Sequence, residues 1–332
     1  MKALRSHAVG GPEALVLEDL PDPVPGRGQV VVAVRACSIN FPDVLMIRDM
    51  YQFKPPRPFA PGGEIAGEIC AIGEGVEGWA VGDRVVGTIG NGGLASRVAV
   101  DVGRLFALPE GVGFDAGAAL ITTYGTNYHG LVDRGRIKAG DTVLVLGAAG
   151  GLGLSAIDLA KMLGARVIAA VSSEDKAALA REVGADDVVI YGRAPFDKAQ
   201  SKELADAFKA ACGPKGADIV YDIVGGDYSE PALRAIAWEG RFLVVGFPAG
   251  IARLPLNLTL LKSCDVCGVF WGAYTAREPA KFRAQVTELF AMLKSGRIGP
   301  RISARYPLER GGEAIALLEN RQALGKVVVE IA

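Results

Sequence analysis

Two hydrophobic rhythms divide the chain. From the start to about Asp115 the apolar residues alternate or form short runs broken by Gly and Pro, as in Leu15–Leu20, Gln29–Ala36, Gly62–Gly73 and Gly78–Gly87. Short strands at that spacing predict an irregular β-rich barrel or sandwich. Its one helical stretch starts at about Phe41, after turn chemistry at Ser38–Asn40, and Tyr51 falls just beyond it. From Asp115 the rhythm changes. A helix over 115–131 is followed by strand 142–147, helix 152–163, strand 166–171, helix 174–183, strand 187–190 and helix 201–211. Strand 217–224, helix 228–237, strand 241–245 and strand 266–270 continue the series. Strands alternating with helices of about ten residues argue for an α/β fold with a doubly wound parallel sheet. Helix 279–294, strand 302–306, helix 309–318 and strand 326–331 form a tail of another style, expected to return to the N-terminal half. The segments read from this pattern are 1–122, 123–265 and 266–332.

The strongest local signal is Thr142–Gly153, where an apolar, β-branched run enters a glycine-dense turn and leaves as a helix. Gly147 leaves the strand, Gly150 lets backbone approach a pyrophosphate, and Gly153 lets helix and strand pack closely. Ala149, Gly151 and Leu152 share the turn and the helix start, whose free N–H groups and partial positive charge suit phosphates. Glycine spacing alone is weak in a chain with 44 glycines. The strand before it, the helix after it and the next strand at Arg166–Val171 make it specific for a dinucleotide. That next strand ends on Ser172 where an NAD-binding fold carries an acid. Ser173, Lys176 and Tyr191 can serve a 2′-phosphate, so NADPH is expected. Glu174 and Asp175 argue the other way, and Ser173 also suits a helix N-cap.

Composition narrows the partners. Half the residues are apolar and the net charge is −1, with no basic or acidic block. Nothing therefore points to nucleic acid or an anionic membrane. No apolar run is long enough to span a bilayer, and the first residues lack the apolar core of a signal peptide. Five cysteines, few and odd in number, fit a reduced, cytoplasmic chain. Cys264 and Cys267 have no second pair and no nearby histidine, and read as structural; only His7 and His129 exist to build a histidine metal site.

Five motifs together carry a family resemblance: Asn40–Asp43, Pro61–Gly67, Gly82–Val85, Gly147–Gly153 and Gly325–Val328. With them the chain resembles the zinc-independent medium-chain dehydrogenase/reductases, in their NADPH:quinone oxidoreductase-like branch. The resemblance implies a GroES-like catalytic domain built from both chain ends, an inserted Rossmann domain and an active site in the cleft. It also implies a homodimer formed along the edge of the sixth strand. Positions that hold catalytic zinc ligands in the metal-dependent relatives correspond here to Asn40, Gly63 and about Thr122. The four-cysteine structural zinc loop is absent as well, and Glu64 and Asp43 alone are too few donors, so no metal is expected.

Without a Lewis acid, a conjugated acceptor is easier to reduce than an isolated ketone. The expected activity is NADPH-dependent hydride transfer to a small electrophile, either a quinone or the activated C=C of an α,β-unsaturated carbonyl. By resemblance, Asn40 orients nicotinamide or substrate, Tyr51 donates a hydrogen bond or proton, and Thr126 contacts the nicotinamide amide. Val224, Gly246, Phe247, Phe270, Trp271 and Lys326 complete the expected lining of the cofactor. Each key residue also has an ordinary explanation. Asn40 can cap the helix at Phe41, Tyr51 can pack on loops, Thr126 can bond its own helix, and Phe270–Trp271 can be core or dimer surface. The alternatives are an enoyl-CoA or acryloyl-CoA-type reductase, for which Arg48, Lys54 and Arg57 are suggestive, and a non-enzymatic NADPH-binding relative.

Overall fold

The computed structural model describes all 332 residues, which gather into two units: 1–122 with 300–332, and 123–299. In the first, β1 (Lys2–Arg5) pairs antiparallel with β2 (Val16–Asp19). β3 (Gln29–Ile39) opens on a Val-rich, β-branched run and is almost wholly buried, as suits a strand with partners on both edges. After it come α1 (Phe41–Ile47), β4 (Glu64–Ile72), β5 (Arg84–Thr88), β6 (Arg97–Asp101), β7 (Leu105–Ala107) and α2 (Phe114–Ala118).

The second unit begins in α3 (Ile121–Tyr128), which continues as a π-helical turn to Arg134. The single helix expected over 115–131 is thus interrupted at Ala119–Leu120, just before the chain passes from one unit to the other. Then β8 (Thr142–Leu146), α4 (Gly151–Met162), β9 (Arg166–Val171), α5 (Glu174–Val183), β10 (Asp187–Ile190), α6 (Lys198–Cys212), β11 (Ala217–Asp222) and α7 (Ser229–Arg234) alternate. α6 starts three residues earlier than expected because Asp197 caps it: its carboxylate accepts from Gln200 N–H at 2.8 Å, and Gln200 reciprocates.

β12 (Ile236–Val244), α8 (Asn257–Lys262), β13 (Asp265–Gly268), α9 (Trp271–Arg277) and α10 (Pro279–Lys294) complete the second unit. Here the expected helix 228–237 is cut short. Ile236 pairs with Ala217, and the register then slips around Glu239, whose φ is +58°. The apolar run that imitated a helix end is a bulged strand start. α8 went unpredicted, although two neighbouring parallel strands require such a crossover. All six strands are parallel, in the order β10-β9-β8-β11-β12-β13, the doubly wound arrangement. Val143–Leu146 of β8 are wholly buried, which explains their continuous apolar run. Each such side chain contributes roughly 1.5–3 kcal/mol by leaving water.

The chain returns to the first unit at Pro300 with β14 (Ile302–Pro307), α11 (Gly311–Glu319) and β15 (Lys326–Glu330). β15 adds antiparallel to β3, so the two chain ends share one sheet, ordered β14-β15-β3-β4-β5-β7 with β6 also on β3. This is the β-rich, GroES-like unit expected from the sequence.

Candidate active site

The carboxyl ends of the parallel strands gather most of the predicted cofactor residues. Gly147 leaves β8 with φ +71°, and the N–H groups of Gly147 and Ala148 both bond Ala170 O at the end of β9. A Cβ on Gly153 would stand 2.4 Å from Gly147 O and 2.6 Å from Ala148, so only glycine allows α4 to sit this close to the turn. Beside Gly150, by contrast, a Cβ would meet nothing nearer than 3.9 Å. An incoming phosphate has room there, facing the first N–H groups of the 12-residue α4 at Gly151, Leu152 and Gly153. The backbone present fits a dinucleotide.

Buried side chains brace this turn, and sequence reasoning missed them. Asn127 Nδ2 donates to Leu152 O at 3.0 Å and to Ser155 Oγ at 2.7 Å. Tyr221 Oη donates to Asn127 Oδ1 at 2.6 Å. The ties fix Thr126, one residue before Asn127, relative to the glycine turn. Asp222, closing β11, accepts from Val224 N–H and Gly225 N–H at 2.8 Å and from Ser229 Oγ. Burial raises its pKa against those three donors. An acid at the end of an apolar strand was the available signal.

Tyr191 follows β10 with its N–H on Val171 O, so it stands beside the end of β9. Ser172 is exposed there, and Lys176 Nζ donates to its hydroxyl at 3.1 Å. Ser173 occupies the N-cap of α5, but its side chain makes no capping bond. Glu174, one of the two acids that argued against NADPH, is drawn to Arg181 at 3.0 Å. Val224 packs against Gly147, and Gly246 and Phe247 follow β12, with Phe247 exposed.

The Phe270–Trp271 pair does not act as a unit. Phe270 is exposed, whereas Trp271 opens α9 and turns inward over Gly125, edge-on to Phe282. Its indole nitrogen is buried with no hydrogen-bond partner.

In the first unit the predicted residues Asn40 and Lys326 meet in a buried polar cluster. Asn40 precedes α1, and Asp43 Oδ2 accepts its backbone N–H at 2.8 Å, closing the helix start from the inside. Asn40 is the N-cap and forms a capping box with Asp43, while its side-chain hydrogen bonds run elsewhere. Its Oδ1 accepts from Lys326 Nζ at 2.7 Å, and its Nδ2 donates to Glu64 Oε2 at 3.0 Å. Glu64 is fully buried, holding Ser38 Oγ at 2.9 Å, Thr122 N–H at 2.8 Å and, at 3.6 Å, the Lys326 ammonium.

Lys326, expected on the cofactor, is 4% exposed and stands at the centre of this cluster. Burial lowers its pKa, and the carboxylates of Glu64 and Asp43 oppose that. Asp43 is raised to about 6, chiefly by burial, against N–H bonds from Asn40 and Gly62. Tyr51 stands half-buried against the core of the unit. Burial, then the charge of Asp43, raise its pKa, so it keeps its proton at neutral pH.

Residues 26–110 match the family described as alcohol dehydrogenase GroES-like domain, and residues 151–291 the family described as zinc-binding dehydrogenase. The quinone oxidoreductase-like protein 2 homolog of Nematostella vectensis is 38% identical across 99% of this chain and 88% of its own length. A mycobacterial structure complexed with NADPH is 31% identical, with TM-score 0.90 over 99% of both chains. Escherichia coli quinone oxidoreductase complexed with NADPH is 28% identical, with TM-score 0.89 over 99% of this chain and 100% of that one. Zinc, implied by the second family's description, does not fit the donors present. An amide, a glycine and a threonine stand at the corresponding positions, an ammonium lies 2.7 Å from the amide, and no three His, Cys, Asp or Glu side chains converge.

Proposed function

The chain belongs to the medium-chain dehydrogenase/reductase superfamily, in its quinone oxidoreductase-like branch, and on that premise we propose that it is a zinc-free, NADPH-dependent reductase of quinones or activated alkenes. NADPH supplies a hydride. Gly147, Ala149, Gly150, Gly151, Leu152 and Gly153 form the turn assigned to its pyrophosphate, the donors being the N–H groups that open α4; two relatives of the same fold are NADPH complexes. Ser172, Ser173, Lys176 and Tyr191 receive the 2′-phosphate. Thr126, Val224, Gly246, Phe247, Phe270 and Trp271 are assigned to the nicotinamide and substrate side.

One observation carries the choice of acceptor: Asn40, at the position of a metal ligand, is tied by hydrogen bonds to Glu64 and Lys326 instead of to a metal. A hydride acceptor suited to such a site spreads its negative charge onto an oxygen that donors, not a metal, stabilise. Asn40 supplies an amide donor, and Tyr51 a phenol that is protonated at neutral pH.

An enoyl thioester bearing phosphates is the weaker reading. Arg48 is held by Glu319, and Lys54 and Arg57 face Asp49, so the three cations that would greet those phosphates are already engaged. The homodimer is assigned to the open sheet edge at β13, where Val266 is exposed together with Leu256, Leu260 and Leu261. No helix is long and apolar enough to cross a membrane, and the five cysteines are free, in keeping with a cytoplasmic enzyme.

The test is NADPH consumption with a panel of quinones, enones and enoyl thioesters, products identified, alongside metal analysis. Turnover of a quinone or enone without bound zinc is expected. Tyr51→Phe should lower it by about 10²-fold with NADPH binding intact. One zinc per chain, or no acceptor turned over by protein that binds NADPH, contradicts the reading.

A further inference from the structure

We propose that Lys326 is a positioning residue which, with Glu64, locks the Asn40 amide in a single orientation for the reaction. This rests on the functional reading above. The lock follows from what each group can do. An ammonium only donates and a carboxylate only accepts. The atom 2.7 Å from Lys326 Nζ must therefore be Asn40 Oδ1, and the atom 3.0 Å from Glu64 Oε2 must be Nδ2. Turning the amide over would set donor against donor and acceptor against acceptor, with Lys326 and Glu64 both withdrawn from water.

The partners are themselves pinned. Glu64 is held by Ser38 Oγ and by Thr122 N–H. The backbone N–H of Lys326 donates to Arg301 O at 2.7 Å, and its ammonium also reaches Ile39 O at 3.4 Å. The second N–H of the Asn40 amide donates to Ser38 Oγ at a long 3.4 Å. Ser38 gives its own hydrogen to Glu64, so toward Asn40 it acts as acceptor. The cluster thus fixes the direction of a second, weakly held amide donor that the reactants compete for.

Lys326→Met alone strands the Glu64 charge in the core, so the informative variant is Glu64→Gln with Lys326→Met, which removes both charges at similar volume. Asn40 should then lose its fixed orientation. At saturating NADPH and acceptor, turnover should fall by about tenfold or more, since small misplacements cost that much, while the dissociation constant of NADPH stays within about twofold. Adding Asn40→Ala to the double variant should lower turnover no further, because the cost is already taken.

A readout free of substrate accompanies this: heteronuclear NMR of the Asn40 side-chain amide, assigned by its loss in Asn40→Ala. Two sharp, slowly exchanging signals are expected in the wild type and averaged, fast-exchanging ones in the double variant. Unchanged amide signals, or a full further loss on adding Asn40→Ala, overturn the proposal. Should no acceptor be turned over at all, the functional reading fails, and the amide signals still decide whether Lys326 positions Asn40.

Discussion

The glycine turn and the Lys326 cluster both hold polar groups in fixed places, and they do so with opposite materials. The turn uses backbone: N–H groups at the start of α4, brought close to β8 because Gly153 carries no side chain, with open space beside Gly150. The cluster uses side chains brought from afar, since Asn40 lies 24 residues from Glu64 and 286 from Lys326. The turn tolerates almost no added volume at Gly153, while the cluster tolerates almost no uncompensated charge. Contiguous backbone sites are therefore written in spacing, and assembled side-chain sites only in the finished fold.

Removing one charge from the cluster should have the largest effect on stability. Lys326→Met leaves Glu64 buried without its cation and should cost about 3–5 kcal/mol in denaturant unfolding, with Glu64→Gln in the same chain restoring much of it. A loss below about 1 kcal/mol would mean that the cluster is solvated and the contrast false.

Asp43 supplies a pH signature of the same region. Its native pKa of about 6 lies above the ordinary 3.8, so the native state holds its proton more tightly. Its contribution to stability is present below pH 3.8 and is lost as pH rises through about 6, to a total of about 3 kcal/mol. Unfolding followed across that window should show a decline that Asp43→Asn lacks. Parallel curves would contradict the burial of this carboxyl.

On the other side of the comparison, Gly153→Val drives a Cβ into Gly147 O and Ala148. A stability loss of about 1–3 kcal/mol and abolished NADPH binding by calorimetry are expected, with the first unit intact. Lys176→Ala is the gentlest probe. It should weaken NADPH by about tenfold and leave NADH unchanged, because only the 2′-phosphate needs the cation beside Ser172.

This contrast explains what the sequence disclosed. Strand, turn and helix at 142–162 follow from local patterning, as do the alternation that yields the parallel sheet and the choice of Ser172 over an acid. Helix and strand were confused at 236–237, where pairing of Ile236 with Ala217 overrides an apolar run that local pattern assigns to a helix. Asp43 and Glu64 were weighed only as metal ligands, and Lys326 only as a cofactor contact. The motif at Gly325–Val328 announces the return to the N-terminal half, but nothing near residue 326 announces that β15 beside β3 delivers the ammonium to Asn40. Asn127 and Tyr221 escaped for the same reason, since their bond joins residues 94 apart.

The most direct measurement uses NADPH deuterated at the transferable position of the nicotinamide ring, with an enone as acceptor and chelator present throughout. One deuterium per product at the β-carbon, with the added proton coming from solvent, is the expected result. An unlabelled product, deuterium at the carbonyl carbon, or turnover that stops when chelator removes a metal would contradict zinc-free hydride transfer to a conjugated acceptor.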